Sequence, residues 1–339
     1  MYNFEVIESS DKRWNEIVKS ADIYDFHHTA YFHQIDTVFD TKLLYFSYQD
    51  NFIALPIVLR PIENTSYFDI TSVYGYAGPL SKISENGDLK ILIENFKSEF
   101  INYCNQHNII SVFSRLHPLI DQKAILEGLG DIIDLNKTVT INLMLSADEQ
   151  RKAYRKSLKS ELNQLRKKGV VVVETTDKQD IDAFIDIYYE TMDRVNATSN
   201  YYFSRDYFYN FLENEIFDSK LLVAKKENKV IAGAIFTLTD KIMQYHLAGT
   251  SEEFIRETPM KLILDEARLN GNETSAINLH LGGGVGGSSE DSLFKFKSGF
   301  SKDFKQFSIW KLIVNPQIYD ELSANKTNTS YFPKYRFNG

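Results

Sequence analysis

Residues 279–300 read LHLGGGVGGSSEDSLFKFKSGF and bring glycines, serines, carboxylates and lysines together in one short segment. Two nucleotide-binding motifs do not fit it. A P-loop requires a lysine and a hydroxyl residue directly after its last glycine, whereas Gly287 is followed by Ser288 and Ser289. A dinucleotide-binding loop opens a βαβ unit, and the chain has no such unit left to complete here. The simplest interpretation of the glycines is a turn whose backbone needs positive φ angles.

The residues after the glycines suggest a chemical role for lysine. Phe294 and Phe296 alternate with Lys295 and Lys297, which predicts a strand with rings on one face and ammonium groups on the other. A lysine beside an apolar cleft can stabilise a developing oxyanion or hold a phosphate. Lys295 and Lys297 are the lysines of this segment, and an exposed strand lysine is the alternative interpretation.

Catalysis at such a lysine would also require a group that removes a proton. Tyr245 and His246, in the stretch MQYHL, are candidates, as are Glu290 and Asp291, although a single histidine in a strand more often packs than acts as a base. Ser292 invites a nucleophile hypothesis, but no Gly-x-Ser-x-Gly elbow accompanies it. We therefore predict His246 as the base.

The composition argues against several other classes. A net charge of −8, from 38 basic and 46 acidic residues, is unsuited to general nucleic-acid binding, and we predict no DNA partner. Cys104 is the only cysteine, which leaves no disulfide framework. His27, His28 and His33 lie close in sequence, yet no clear carboxylate or cysteine set completes a metal site. We predict no metal and no permanently bound cofactor.

The periodicity of apolar residues predicts the same order of elements twice: strand, two helices, three strands, helix and strand. This order predicts an α+β protein with two domains, residues 1–148 and 149–339, each built on a mixed, mostly antiparallel sheet. Near the junction, residues 151–168 contain eight basic residues and one acidic residue. We interpret this stretch as one basic helix, ended by Gly169, that would meet an anionic partner.

The element order is that of the GNAT acyltransferase fold, and one motif makes the likeness sharper. Phe296, Lys297, Gly299 and Phe300 resemble the Phe-Lys-x-Gly-Phe ending of Fem-type aminoacyltransferases, tandem GNAT enzymes that build peptidoglycan interpeptide bridges. The stretches LRKKGVVVVE, YYETMDRVNATSNYYFSRDYF and SVYGYAGPL are similar to other segments of that family. The likeness covers most of residues 151–310 and, more loosely, the first half.

The resemblance implies an acyltransferase that moves an acyl or aminoacyl group onto an amine of a bacterial cell-envelope saccharide or peptide precursor. It assigns oxyanion stabilisation to Lys297 and contact with the acceptor to Arg194, Asn196 and Tyr202. Further residues are predicted to line the substrate site: Tyr245, Gly283, Gly284, Ser292, Lys295 and Phe296.

The donor is the open question. The chain lacks the long coiled-coil arm thought to serve tRNA in the staphylococcal-type enzymes, and the family's phosphate-gripping lysine of the first domain has no match. Coenzyme A enzymes carry a glycine-rich loop after the fourth strand, where this chain has Glu252, Glu253 and Glu257. We therefore rank aminoacyl-tRNA above acyl-CoA as co-substrate.

Two further alternatives concern function and location. A catalytically silent module that binds an envelope glycan or peptide is the rival from another class. The chain has no signal-peptide pattern and no run of 18 apolar residues, which predicts a cytoplasmic protein. The basic stretch 151–168 would allow contact with tRNA or with the inner face of the membrane.

Overall fold

The computed structural model of the chain describes residues 2–84, 89–284, 291–326 and 329–337. It divides the chain into two compact units. Unit 1 contains residues 1–136 and 306–339, and unit 2 contains residues 137–305. The predicted division into 1–148 and 149–339 differs from this, because the last 34 residues of the chain belong to unit 1 and the boundary near residue 148 lies earlier. The chain leaves unit 1 within one long strand and returns to it within another.

Unit 1 begins with alternating strands and helices. In chain order these are β1 (Tyr2–Glu8), α1 (Arg13–Ser20), α2 (Ala30–Asp36), β2 (Asp40–Tyr48), β3 (Asn51–Pro61), β4 (Phe68–Thr71), β5 (Leu80–Lys82), α3 (Leu89–Gln106), β6 (Ile109–Arg115) and α4 (Lys123–Leu126). The strand β7 (Asp131–Asn142) then runs out of unit 1 into unit 2.

Unit 2 continues with the second set of elements. In chain order these are α5 (Ala147–Lys152), α6 (Leu158–Lys167), β8 (Val171–Thr175), α7 (Lys178–Arg194), α8 (Arg205–Glu213), β9 (Asp218–Lys226), β10 (Lys229–Leu238), β11 (Ile242–Thr250), α9 (Met260–Asn272), β12 (Asn278–Gly282) and α10 (Ser292–Lys297). The strand β13 (Asp303–Ile313) returns the chain to unit 1, where α11 (Pro316–Ser323) follows.

The two units have the same sheet topology. In unit 1 the order is β1-β2-β3-β4-β6-β13, with β4 and β6 parallel and the other neighbours in that order antiparallel, while the short β5 pairs with β3. In unit 2 the order is β8-β9-β10-β11-β12-β7, again with one parallel pair, β11 and β12. The predicted repetition and the α+β class with mixed, mostly antiparallel sheets are confirmed.

The sixth strand of each sheet explains the difference in domain boundaries. The last strand of the chain, β13, completes the sheet of unit 1 by pairing with β6, and β7 completes the sheet of unit 2 by pairing with β12. Each sixth strand supplies hydrogen-bond partners to a strand that would otherwise be an edge. The apolar pattern of β13 identifies a strand without saying to which sheet it belongs.

Each unit has its own apolar core. In unit 1 the rings of Phe96, Phe100 and Trp310 pack below the sheet, all fully buried. In unit 2 the core lies between the sheet and the helices α6 and α9, with Leu162 and Ile263 at its centre. Among the described residues, no helix combines the length and the apolar character required to cross a bilayer.

Side-chain caps set several helix starts where the sequence predicts them. Thr29 and Ser204 accept hydrogen bonds from the backbone N–H groups three residues downstream, Phe32 and Tyr207. The helix α6 ends just before Gly169, which has a φ of +77° as a terminating glycine requires. These local signals are short-range, so tertiary contacts do not change them.

The predicted basic helix over 151–168 is wrong as a single element. The helix α5 ends at Lys152 and α6 begins at Leu158. Between them the N–H of Arg155 donates to the carbonyl of Gly299, at 2.9 Å, instead of continuing a helical ladder. Several of the cations are also neutralised, because Arg155, Arg166 and Lys168 each form an ion pair with a carboxylate of unit 2.

Candidate active site

The two parallel strands at the centre of unit 2 pair over a short distance only. Hydrogen-bonded register between β11 and β12 covers Ile242–Gln244 and Asn278–His280, although β11 continues to Thr250. A bulge in β11 follows directly, since Ile235 lies opposite Leu247 and Phe236 lies opposite Tyr245, which leaves His246 as the extra residue. The two strands therefore stop pairing next to Tyr245, and the sheet is interrupted there.

Lys297 lies at this interruption. Its side chain is buried, with 7% of the residue exposed. The ammonium group donates a hydrogen bond of 2.7 Å to the carbonyl of Gly283, directly after β12, and lies 5.5 Å from the ring centroid of Tyr245 in β11. One lysine thus contacts both strands where they separate.

Burial changes the proton affinity of this lysine. It lowers the pKa of Lys297 from 10.5 to about 7, and the negative charge of Asp291 opposes the change. Burial likewise raises the pKa of the Tyr245 hydroxyl well above its usual value. Tyr245 is therefore a neutral neighbour at physiological pH, and the ammonium of Lys297 is poised to lose or keep its proton near neutrality.

Lys297 is held in place by a helix and not by the predicted strand. Residues 292–297 form α10, because the carboxylate of Asp291 accepts a hydrogen bond of 2.8 Å from the N–H of Phe294 and caps the helix. The alternation of rings and lysines is real in the sequence, but six residues with a capping aspartate satisfy a helix equally well. The helix turns Lys297 inward and leaves Ser292 and Lys295 exposed.

Close packing explains why glycine occupies two positions around Lys297. A side chain on Gly284 would bring its Cβ within 2.1 Å of the Asp291 carboxylate that caps α10. A side chain on Gly299 would bring its Cβ to 3.2 Å from the Arg155 side chain, beside the hydrogen bond that ties α10 to residues 153–157. Both glycines therefore permit the close packing that positions Lys297. The other glycines of the sequence motif, at 286 and 287, lie outside the described residues.

Aromatic rings support the end of α10. Phe296 and Phe300 meet edge to face, with ring centroids 5.9 Å apart, and Phe300 packs in the same way on Tyr154 at 5.4 Å. The hydroxyl of Tyr154 donates to the buried carboxylate of Asp265, at 2.7 Å. Phe296 is thus half-buried beside Lys297 and packs on the core of unit 2.

The other predicted residues have different contacts. The ring of His246 stacks on Phe211 of α8, with centroids 4.8 Å apart, whereas Tyr245 contacts Lys297. The role of His246 as a base stays a prediction. A phenylalanine stack is also the usual environment of a packed histidine, so its structural role is the simpler of the two.

Arg194, Asn196 and Tyr202 lie at the end of α7 and in the loop after it. Arg194 is the last helical residue, and its Nη2 donates to the hydroxyl of Thr191 at 3.3 Å. That hydroxyl accepts the N–H of Thr250, at the end of β11. Tyr202 is exposed and donates to Asp193, at 2.7 Å. Nη1 of Arg194 is buried and has no hydrogen-bond partner among the described residues, and contact of this side chain with an acceptor stays a prediction.

Two of the three glutamates before α9 are paired with lysines. Glu253 forms an ion pair with Lys229, and Glu257 forms ion pairs with Lys226 and Lys168. The repulsion that we expected between three carboxylates and a pyrophosphate is therefore weaker than the sequence suggests. The same pairs also occupy the lysines that would otherwise attract phosphate.

Unit 1 contains a buried set of groups of the kind that bind metals. The carboxylate of Asp25 accepts from Nδ1 of His27 at 2.8 Å and lies 3.1 Å from Nε2 of His117. The N–H of Leu119 donates to Nδ1 of His117, at 3.1 Å, so the proton of that ring is on Nε2 and points at Asp25. Metal binding at Nε2 would require the opposite tautomer. The set is better described as a hydrogen-bonded network, which the sequence missed because His117 lies 92 residues from Asp25.

Comparisons with known proteins agree with this fold. A family model described as an acetyltransferase (GNAT) domain matches residues 152–297, within unit 2. The crystal structure of FemX is similar with a TM-score of 0.71 and 12% identity, over 94% of this chain and 99% of FemX. The C-terminal domain assigned to a lysylphosphatidylglycerol synthetase of Agrobacterium fabrum is similar with a TM-score of 0.56 and 16% identity, over 88% of this chain and 90% of that domain.

A third similar structure is a tandem GNAT protein from the clavulanic acid pathway, with a TM-score of 0.50 and 8% identity over 93% of this chain and 99% of that protein. No curated protein matches the sequence. The predicted tandem GNAT fold is confirmed, and so, at the level of fold, is the resemblance to Fem-type enzymes. The segment that matches the acetyltransferase (GNAT) model lies within unit 2, and Lys297 is its last residue.

Proposed function

We propose that this chain, whose second unit is a GNAT acyltransferase domain, transfers an activated aminoacyl group to an amine at the site around Lys297. One observation carries the proposal: a buried ammonium group contacts both β11 and β12 at the point where the two strands stop pairing. In the GNAT fold the separation of these central strands is the feature that admits an acyl donor. A positive charge at that position suits the negative charge that develops on the acyl oxygen.

The reaction is an acyl substitution that needs few protein groups. The amine nitrogen attacks the acyl carbon, and the bond from that carbon to the donor's oxygen or sulfur breaks. The amine loses one proton, and the departing alkoxide or thiolate gains one, so charge and protons balance. Lys297, in its ammonium form, would stabilise the tetrahedral oxyanion by exchanging its hydrogen bond with Gly283 for one with the reacting oxygen.

An aminoacyl ester is favoured over a coenzyme A thioester by the surroundings of α9. A pyrophosphate at the start of that helix would meet lysines already paired with Glu253 and Glu257, and no glycine-rich loop offers backbone N–H groups. The comparisons with FemX and with a lysylphosphatidylglycerol synthetase support the same donor class and an envelope precursor as acceptor. Similarity to a tandem GNAT protein from the clavulanic acid biosynthesis pathway keeps acyl-CoA as the second candidate.

The proposal is tested by incubating the full-length protein with charged tRNA or with acyl-CoA, each together with UDP-linked amino sugars and muropeptides. We expect mass spectrometry to find a new amide with the charged tRNA and none with acyl-CoA. A product with acyl-CoA alone would establish the second candidate. Saturable binding of an acceptor without any product from either donor would instead identify a binding module and contradict the proposal.

The protonation of Lys297 predicts a pH dependence with a definite sign. The ammonium form is the active one, and the pKa of Lys297 is lowered to about 7. We therefore expect the ionisation of Lys297 to lower kcat/KM about tenfold for each pH unit above that pKa, once the rise in the unprotonated fraction of the acceptor amine over the same range is divided out. In Lys297→Arg the guanidinium stays charged, so this decline should be absent from the activity that remains. A rate that still rises through neutral pH after the same division would contradict the ammonium role and indicate a lysine base.

A further inference from the structure

A separate cavity of about 290 Å³ opens in unit 1, and its lining is unusual in combining both signs of charge with exposed rings. It lies between the end of α2, the strands β3 and β6, and the segment that follows α11. The charged residues that line it are Asp36, Arg60 and Arg115, with no lysine or histidine among the described lining residues. Its volume is at the lower end of small-molecule sites.

Arg115 presents a cation into this cavity. Its guanidinium carbon lies 5.6 Å from the ring centroid of Tyr74 and 5.3 Å from that of Phe113, so the two rings hold it. No carboxylate of the described residues lies within ion-pair distance of it. Arg60 adds a second cation, whose Nε donates to Asp69 at 2.8 Å. Because Asp69 also pairs with Arg336, a single carboxylate serves two guanidinium groups and leaves net positive charge.

Asp36 presents the opposite charge. One oxygen of its carboxylate accepts the N–H of Tyr74 at 2.9 Å, and the other has no hydrogen bond from the described residues. Burial raises the pKa of Asp36 to about 6, while Arg115 acts to lower it. An anion and a cation thus line one cavity without forming an ion pair with each other.

The mouth of the cavity is apolar. Phe39, Tyr74 and Tyr331 all line it, and each is at least 41% exposed. Large rings with this exposure are more often found where a ligand or partner covers them. Aromatic faces also attract ammonium groups as well as apolar side chains.

We propose that this cavity binds a small zwitterion, in which an ammonium group and a carboxylate or phosphate lie a few bonds apart beside an apolar group. The anionic group would be held by Arg115 and Arg60, the ammonium by Asp36 and the rings, and the apolar group by Phe39 and Tyr331. A simple anion would leave the Asp36 carboxylate repelled, and a simple amine would leave two guanidinium groups unsatisfied. The proposal goes beyond the transferase function and does not depend on it.

The test is calorimetric titration of the full-length protein with matched ligands. L-Phenylalanine and L-leucine represent amino acids, and O-phosphoethanolamine represents aminoalkyl phosphates. Two analogues carry a single charge: 3-phenylpropionate lacks the ammonium group, and phenethylamine lacks the carboxylate. We expect at least one zwitterion to bind at least about tenfold more tightly than either analogue, since each pole adds a charge-assisted contact. Equal affinity of a single-charge analogue, or no binding of any zwitterion at millimolar concentration, would overturn the proposal.

Substitutions test which residues hold the two charged groups of the ligand. Arg115→Met and Asp36→Asn should each weaken binding of the zwitterion at least about tenfold. Arg13→Met and Asp50→Asn make the same chemical changes at exposed positions outside the cavity lining and should leave the affinity unchanged. Stronger binding by Asp36→Asn would mean that the ligand is a plain anion and would refute the role given to Asp36.

The pH dependence gives a test that needs no variant. As the pH is lowered from about 7.5 to about 5, Asp36 becomes protonated and loses its attraction for an ammonium group. The affinity for the zwitterion should therefore fall by several fold, while Arg60 and Arg115, the other charged groups of the cavity, stay charged. A plain anion would behave in the opposite way, because protonation of Asp36 removes a repulsion. Tighter binding at the lower pH would therefore count against the zwitterion.

Discussion

Replacing Lys297 with methionine is expected to lower acyl transfer by 10²–10³-fold, the usual cost of losing one donor to an oxyanion. The Nζ of Lys297 is 2.7 Å from the carbonyl of Gly283 and is buried where β11 and β12 separate. Lys295 of the same helix is exposed and does not occupy this position. Single-turnover rates with the active donor and acceptor measure the effect.

The same substitution should raise stability, which separates a functional lysine from a structural one. Lowering the pKa of Lys297 from 10.5 to about 7 means that burying its charge costs up to about 5 kcal/mol. Methionine has a similar length and no charge, although it loses the hydrogen bond with Gly283. We expect unit 2 to gain on the order of 1–3 kcal/mol at neutral pH.

Hydrogen exchange of the amides in unit 2 measures this gain. Tryptophan fluorescence does not, because Trp14 and Trp310 both belong to unit 1. Lys302→Met is the matched control: Lys302 is exposed and bonds only the Ser298 carbonyl among the described residues, so neither rate nor stability should change much. If Lys297→Met kept full activity while unit 2 lost stability, Lys297 would be a structural residue.

The second large effect is expected in unit 1, where Asp25→Ala should lower the free energy of unfolding by about 3–5 kcal/mol. The Asp25 side chain is fully buried and accepts hydrogen bonds from the N–H of Phe26 and from the rings of His27 and His117. These interactions with both histidines keep the pKa of Asp25 well below its usual value despite burial. Without the carboxylate, three buried N–H groups lose this hydrogen-bond acceptor, which costs stability.

Urea unfolding followed by tryptophan fluorescence reports on this change directly, since both tryptophans lie in unit 1. The ring N–H of Trp14 even donates to the carbonyl of His28, next to the network. Asp121→Ala, an exposed aspartate of the same unit, is the control and should cost little. An Asp25→Ala protein with an unchanged midpoint would show that the network contributes no stability.

Local sequence signals determined much of the second unit. The cap at Ser204 and the stop at Gly169 depend on contacts within four residues, so they are visible in the sequence and present in the structure. The motif ending in Phe300 also directed attention to Lys297, whose catalytic role stays a prediction. The secondary structure of that motif was wrong, because an alternating pattern six residues long does not distinguish a strand from a capped helix.

The contacts that these residues make could not be predicted from the sequence. The sequence marks Lys297, Tyr245 and Gly283 as separate candidates. Only the folded sheet places the Lys297 ammonium within 2.7 Å of the Gly283 carbonyl and above the Tyr245 ring. The zwitterion cavity collects Asp36, Arg115 and Tyr331 from distant parts of the chain. None of these three belongs to a recognisable motif, because the contacts that define the cavity are long-range.

The order of helices and strands, several of their caps and the motif that contains Lys297 follow from the sequence alone. The tertiary structure was needed to show which sheet contains β13, which carboxylate lies next to His117 and which strands separate beside Lys297. Periodicity and capping depend on neighbours a few residues apart, whereas strand pairing and buried hydrogen bonds depend on residues that only packing brings together. If Lys297 did not interact with developing charge at the gap between β11 and β12, unit 2 would have the acyltransferase fold without this chemistry.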